Sequence, residues 1–149
     1  MAASPFSSYR VIIAFAVAWL VWLAMHAATL YWLGFDWKIS LADAAISCLT
    51  LALASLTISN TLRFYQPGKG KYINIATWCL LLSALAVFIS RFSLLYLYKE
   101  DQAYHIVFEK SIIIRFCVGF LLLSGVALLS MLWYTLQDQK DNERRKADA

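Results

Sequence analysis

Residues 111–149 read SIIIRFCVGFLLLSGVALLSMLWYTLQDQKDNERRKADA, and the change of character inside this stretch decides the fold. Residues 112–136 are nearly all apolar. They are long enough to cross a hydrocarbon core of about 30 Å, which takes about 20 helical residues. From Gln137 onward Asp138, Asp141, Glu143 and Asp148 mix with Lys140, Arg144, Arg145 and Lys146, and no Gly or Pro interrupts them. Asp141 precedes Arg145 by one helical turn, in the favourable order for an ion pair. The stretch therefore predicts a helix that crosses lipid and runs on into water as a charged connector. It shows no apolar seam of the coiled-coil kind, and it ends without a helix terminator, so the chain is expected to continue past Ala149.

Three further stretches of this kind precede it, at about 11–33, 39–62 and 72–98. Helices are the required form, because lipid offers the backbone no hydrogen-bond partner and four spans cannot close a barrel. The composition agrees: of 149 residues, 62% are hydrophobic and 15% charged, against roughly 45–50% and 25% in soluble domains. A soluble enzyme, a disordered tail, a disulfide framework and a nucleic-acid binder are excluded on that ground. The expected fold is all-α, a four-helix transmembrane bundle running up-down-up-down with the fourth helix extending into the cytoplasm. Residues 1–136 form the membrane domain and 137–149 the connector. The first span is too long and too rich in Trp for a signal peptide, with Trp19, Trp22 and Trp32.

The connections, 34–38, 63–71 and 99–111, are too short to house a folded domain, and Gln66-Pro67-Gly68 marks a turn in the middle one. Arg10, then Arg63, Lys69 and Lys71, then Lys140, Arg144, Arg145 and Lys146 fall on one side of four alternating spans. The other side has Lys38, Lys99 and Lys110 among Asp36, Glu100, Asp101 and Glu109. The positive-inside rule makes both termini cytoplasmic, so the formal charge of +4 reports topology and not a nucleic-acid partner.

Ionisable groups within lipid are costly and normally face the bundle interior. Each span has one: His26, Asp43, Arg91 and Arg115, all within about 10 Å of the outer end by helical rise. They are candidates for one polar cluster, read in two ways. In one, Arg91 and Arg115 hold an anion or headgroup while Asp43 balances charge and His26 titrates. In the other, Asp43 neutralises one arginine and the second snorkels to the interface. Cys48, Cys79 and Cys117 lack metal or redox spacing and read as small buried hydrophobes. Haem is excluded because the only other histidine, His105, lies in the outer connection; no cofactor or metal is expected. Ala14 with Ala18, Ala24 with Ala28, Ser55 with Ser59, and Ala86 with Ser90 are small pairs suited to helix packing. Tyr96, Tyr98, Tyr104, Phe108, Trp32 and Trp37 read as an outer aromatic belt, Trp133 and Tyr134 as an inner one.

The short amino terminus, the four spans, the inner connection Leu62-Arg63-Phe64-Tyr65-Gln66-Pro67 and the charged helix from Gln137 to Arg145 resemble the membrane region of LytS-like bacterial sensor histidine kinases. The resemblance implies a sensory and dimerising input module in the bacterial inner membrane. It implies a homodimer, a downstream kinase domain and a response regulator as partners, and signal transmission through Leu136, Lys140, Asp141 and Arg145. No catalytic residue of such a kinase lies in this chain, since His26 is in the membrane and His105 outside. The alternative is a free-standing small transporter or accessory subunit. A reporter fused after Ala149 tests the topology: a cytoplasmic reporter is expected to be active there and alkaline phosphatase silent, and the opposite pattern refutes the orientation.

Overall fold

The computed structural model describes residues 5–64 and 70–149. A short 3-10 turn, Pro5–Ser7, leads into four helices: α1 Tyr9–Trp32, α2 Trp37–Phe64, α3 Lys71–Leu97 and α4 Gln102–Asp148. Each is long and apolar enough to cross a bilayer, so the protein is an all-α, multi-pass membrane protein, as the hydropathy pattern predicts. The Gln66-Pro67-Gly68 turn, with Tyr65 and Lys69, lies outside the described residues.

Two tight reversals make sequential helices antiparallel neighbours. Past α1 the Gly34 N–H donates to Tyr31 O and the Phe35 N–H to Leu30 O, at 3.0 and 3.3 Å. This pair of bonds closes the helix only if Gly34 takes the left-handed conformation, φ 95°, which glycine adopts without steric cost. The second reversal, at residues 98–101, corrects the expected connection 99–111. Asp101 caps α4 by accepting the Tyr104 N–H at 3.0 Å, so the helix begins at Gln102. These reversals form the loop end of the bundle, and the charged end of α4 extends from the opposite, tail end.

That early start adds two turns to the inward face of α4. Its buried residues form two runs, Tyr104 and Phe108 near the start and Gly119, Leu123, Ala127, Ser130 and Tyr134 further on, stepping by three or four within each run. Tyr104, Phe108 and Tyr134 are therefore core residues and not members of aromatic belts. Tyr96 and Trp32, 72% and 84% exposed, do occupy surface positions.

α2 is the hub. It packs against α1, α3 and α4, and α3 also packs against α4. Its buried stripe is mostly small: Ser40, Asp43, Ala44, Ser47, Cys48, Ala54, Ser55, Ile58, Ser59 and Leu62. Lipid is as apolar as leucine, so membrane helices gain little by burying large aliphatics; small residues let backbones approach and hydroxyls bond across. Hydroxyl groups link every pair in the α2–α3–α4 group: Thr50 to Ser90 at 3.1 Å, the Ser83 hydroxyl to Phe116 O at 2.9 Å, and Ser130 to Ser59 at 3.0 Å. Tyr134 adds an O–H donated to Ser59 O at 3.0 Å.

The expected packing pairs divide accordingly. Ser55 with Ser59 and Ala86 with Ser90 are buried, whereas Ala14, Ala18, Ala24 and Ala28 on α1 are exposed. α1 buries only Leu30. Cys48 and Cys79 are interior, but Cys117 faces outward, contrary to its reading as a buried residue.

α4 approaches its neighbours closely at Gly119, where an added Cβ would stand 3.0 Å from Ser83 Oγ and 3.2 Å from Leu51 Cδ2. At Gly125 a Cβ would meet nothing within 4 Å. Gly119→Val is expected to lower the midpoint of thermal or denaturant unfolding, at about 1–3 kcal/mol for overpacking. Gly125→Ala should leave the midpoint at or above that of the unaltered protein; equal effects at both sites would contradict this packing.

Candidate functional site: a carboxylate sealed between three helices

Asp43 is fully buried at the loop end of α2. On the same face one turn later, Ser47 donates its hydroxyl to Asp43 Oδ1 at 3.1 Å. α4 supplies Tyr104, Phe108, Ser111 and Arg115, spaced so that all four project from one side of the helix. The Tyr104 O–H donates to Asp43 Oδ2 at 2.7 Å. Arg115 grips the carboxylate with both arms, Nη1 to Oδ1 and Nη2 to Oδ2, each at 2.7 Å. Its Nε–H donates to Ser111 Oγ at 3.0 Å and Nη1 also reaches Ser47 Oγ at 3.2 Å. Arg115 Cζ lies over the Phe108 ring, 4.3 Å from the centroid. From α1, His26 brings Nε2 to 3.4 Å from Asp43 Oδ1.

Three of the four ionisable residues singled out from sequence, His26, Asp43 and Arg115, thus meet. Arg91 does not join them. It pairs with Glu109 through Nε and Nη2 at 2.9 and 2.6 Å, on a surface where both side chains are nearly half exposed. Each intramembrane arginine has a carboxylate partner, which removes the physical basis for an anion held between Arg91 and Arg115. His105 holds the second reversal through a 3.0 Å contact with Tyr98 O. The connector residues Leu136, Lys140, Asp141 and Arg145 lie on the uninterrupted exposed part of α4. Among the described residues no three His, Cys, Asp or Glu side chains gather as a metal site.

Sequence reasoning missed Tyr104, Ser47, Ser111 and Phe108. The signal for the α4 residues was Asp101, an N-cap residue followed by the Tyr104 to Arg115 periodicity.

The arrangement fixes geometry, and its Asp43–Arg115 pair is net neutral. A bidentate pair with two further donors to the carboxylate meets the conditions under which burying two charges is tolerated. Removing one partner leaves the other charged and unsolvated. Asp43→Ala is expected to cost about 3–5 kcal/mol, while Arg91→Ala, at a half-exposed pair, should cost less than about 1 kcal/mol. Replacing Asp43 and Arg115 together by Leu and Met should recover most of the loss in a denaturation series. Comparable losses for Asp43→Ala and Arg91→Ala would contradict the assignment.

No family model, curated protein or solved structure matches this chain.

Proposed function

We propose that this chain is the membrane input module of a LytS-like two-component sensor histidine kinase. Both termini lie in the cytoplasm of a bacterium, and the bilayer involved is its inner membrane. α4 carries a change of packing from the loop end to a cytoplasmic kinase that acts on a response regulator, and the working unit is a homodimer. The single observation that carries this reading is the continuity of α4. One helix, Gln102–Asp148, holds Tyr104 and Arg115 of the sealed cluster near its start and Lys140, Asp141 and Arg145 near its end. By helical rise the distance from Tyr104 to Arg145 is on the order of 60 Å. No glycine or proline interrupts the tail beyond Leu136, so an axial shift or rotation at one end is felt at the other.

Three helices meet at Asp43, and a stimulus that favours an alternative seating of α1 or α4 around it would shift the population of two packings. A proton-coupled exporter, by contrast, needs a carboxylate open to water and substrate. Asp43 has no exposed surface and its oxygens are occupied by Arg115, Tyr104 and Ser47.

The test is an epistasis measurement in the full-length membrane protein. Tyr104→Phe keeps the ring and removes one donor from Asp43. It should alter kinase autophosphorylation several-fold, and insertion of two glycines after Asp138 should abolish that difference. An effect of Tyr104→Phe that survives the insertion, or no effect at all, counts against the relay.

A further inference from the structure

Beside the sealed cluster lies a cavity of about 310 Å³, at the lower end of the range for small-molecule sites, about 300–1,000 Å³. All four helices contribute to it, and its walls are mainly aliphatic, with Leu30, Leu51, Val87 and Val118 among them. α1 packs on α2 without an extended contact to α3 or α4, so the way in on that side is from the surrounding lipid. The one charged side chain in the lining, Arg115, is neutralised by Asp43. An ionic ligand would find no free counter-charge there.

The polar groups in the lining decide what a neutral ligand must offer. Each hydroxyl has one proton to give, and all five are committed. Thr29 donates to Met25 O, Ser47 to Asp43 and Ser111 to Phe108 O. Thr50 donates to Ser47 O, so Ser90, 3.1 Å from Thr50 Oγ1, must be the donor of that pair. The Trp22 indole N–H has no partner but is itself buried. What remains is acceptor capacity. His26 lines the cavity with Nε2 turned to the Asp43 carboxylate. A neutral imidazole that directs an Nε2–H at that oxygen keeps its Nδ1 lone pair free; Nδ1 has no partner among the described residues, and the side chain is 19% exposed.

We infer that this cavity binds a neutral, membrane-dissolved molecule with an apolar body and a hydroxyl group, the hydroxyl donating to His26 Nδ1. A reduced quinone and a diacylglycerol both have this chemistry. An oxidised quinone, which only accepts hydrogen bonds, does not. Sites built around one hydrogen bond discriminate strongly against analogues that lack it. The inference concerns binding alone and holds whether or not α4 relays a signal.

The experiment uses the purified full chain in detergent or nanodiscs, titrated under nitrogen with decylubiquinol, decylubiquinone, dioctanoylglycerol and the O-methyl ethers of the two hydroxyl compounds. Native mass spectrometry and tryptophan fluorescence read binding. One molecule per chain is expected for at least one hydroxyl compound, at least tenfold tighter than for its ether; which of the two binds identifies the source. Decylubiquinone should bind at least tenfold more weakly than decylubiquinol if the quinol is the ligand. Val87→Phe, which fills the cavity without touching the Asp43 cluster, should weaken binding at least tenfold. Should that variant lose helix content, the alcohol-to-ether ratio on the unaltered chain decides. Equal affinities for alcohol and ether, no binding by either hydroxyl compound, or a folded Val87→Phe that binds normally overturns the inference.

Discussion

A carboxylate surrounded by hydrocarbon must be neutralised and hydrogen-bonded at once, and the loop end of this bundle is organised around how Asp43 meets that demand. Taking each ion out of water costs several kcal/mol even after relaxation. The compensation here is dense: two guanidinium arms, a phenol and a serine hydroxyl, with an imidazole nearby. Because these donors come from α4, α2 and α1, satisfying one side chain fixes three helices relative to one another. Phe108 and Ser111 hold the arginine in the orientation that makes the bidentate contact possible.

Further along the helices the same solvent imposes a gentler version of the rule. Serines and threonines are spaced along the interfaces, with Ser83 donating to a carbonyl and Ser130 to another hydroxyl. Many large apolar side chains point the other way, as Leu53, Phe88 and Leu121, 57%, 64% and 67% exposed, illustrate. This inverts the arrangement of a water-soluble bundle, where such residues would be the core. α1 is the member least committed to the assembly, buried only at Leu30 and touching the polar cluster through His26 alone.

The number and class of the elements were legible from hydropathy because span length is set by bilayer thickness, a constraint independent of tertiary detail. The identity of the cluster was half legible. His26, Asp43 and Arg115 stand out because charge inside lipid is rare, but residue type alone cannot tell which arginine faces the acid. Arg91 lies nearer the surface and finds Glu109, which sequence reading had placed in a connection. That error had one cause: the polar residues between Lys99 and Ser111 were read as a loop, although Asp101 caps a helix whose inward face begins at Tyr104. Tyr104 and Tyr134 resemble interfacial aromatics by position, and only the register of α4 turns them inward. The role of Gly119 depends on which helix lies opposite, a fact absent from any single stretch of sequence.

The separation of 72 residues between Asp43 and Arg115 has a consequence for biogenesis. At roughly 5–20 residues per second, a ribosome completes Arg115 about 4–14 s after Asp43. For most of that interval Ser47 on the same helix and His26 on α1 are the only members of the cluster already made, so the acid has to wait for its counter-charge until the last segment is synthesised.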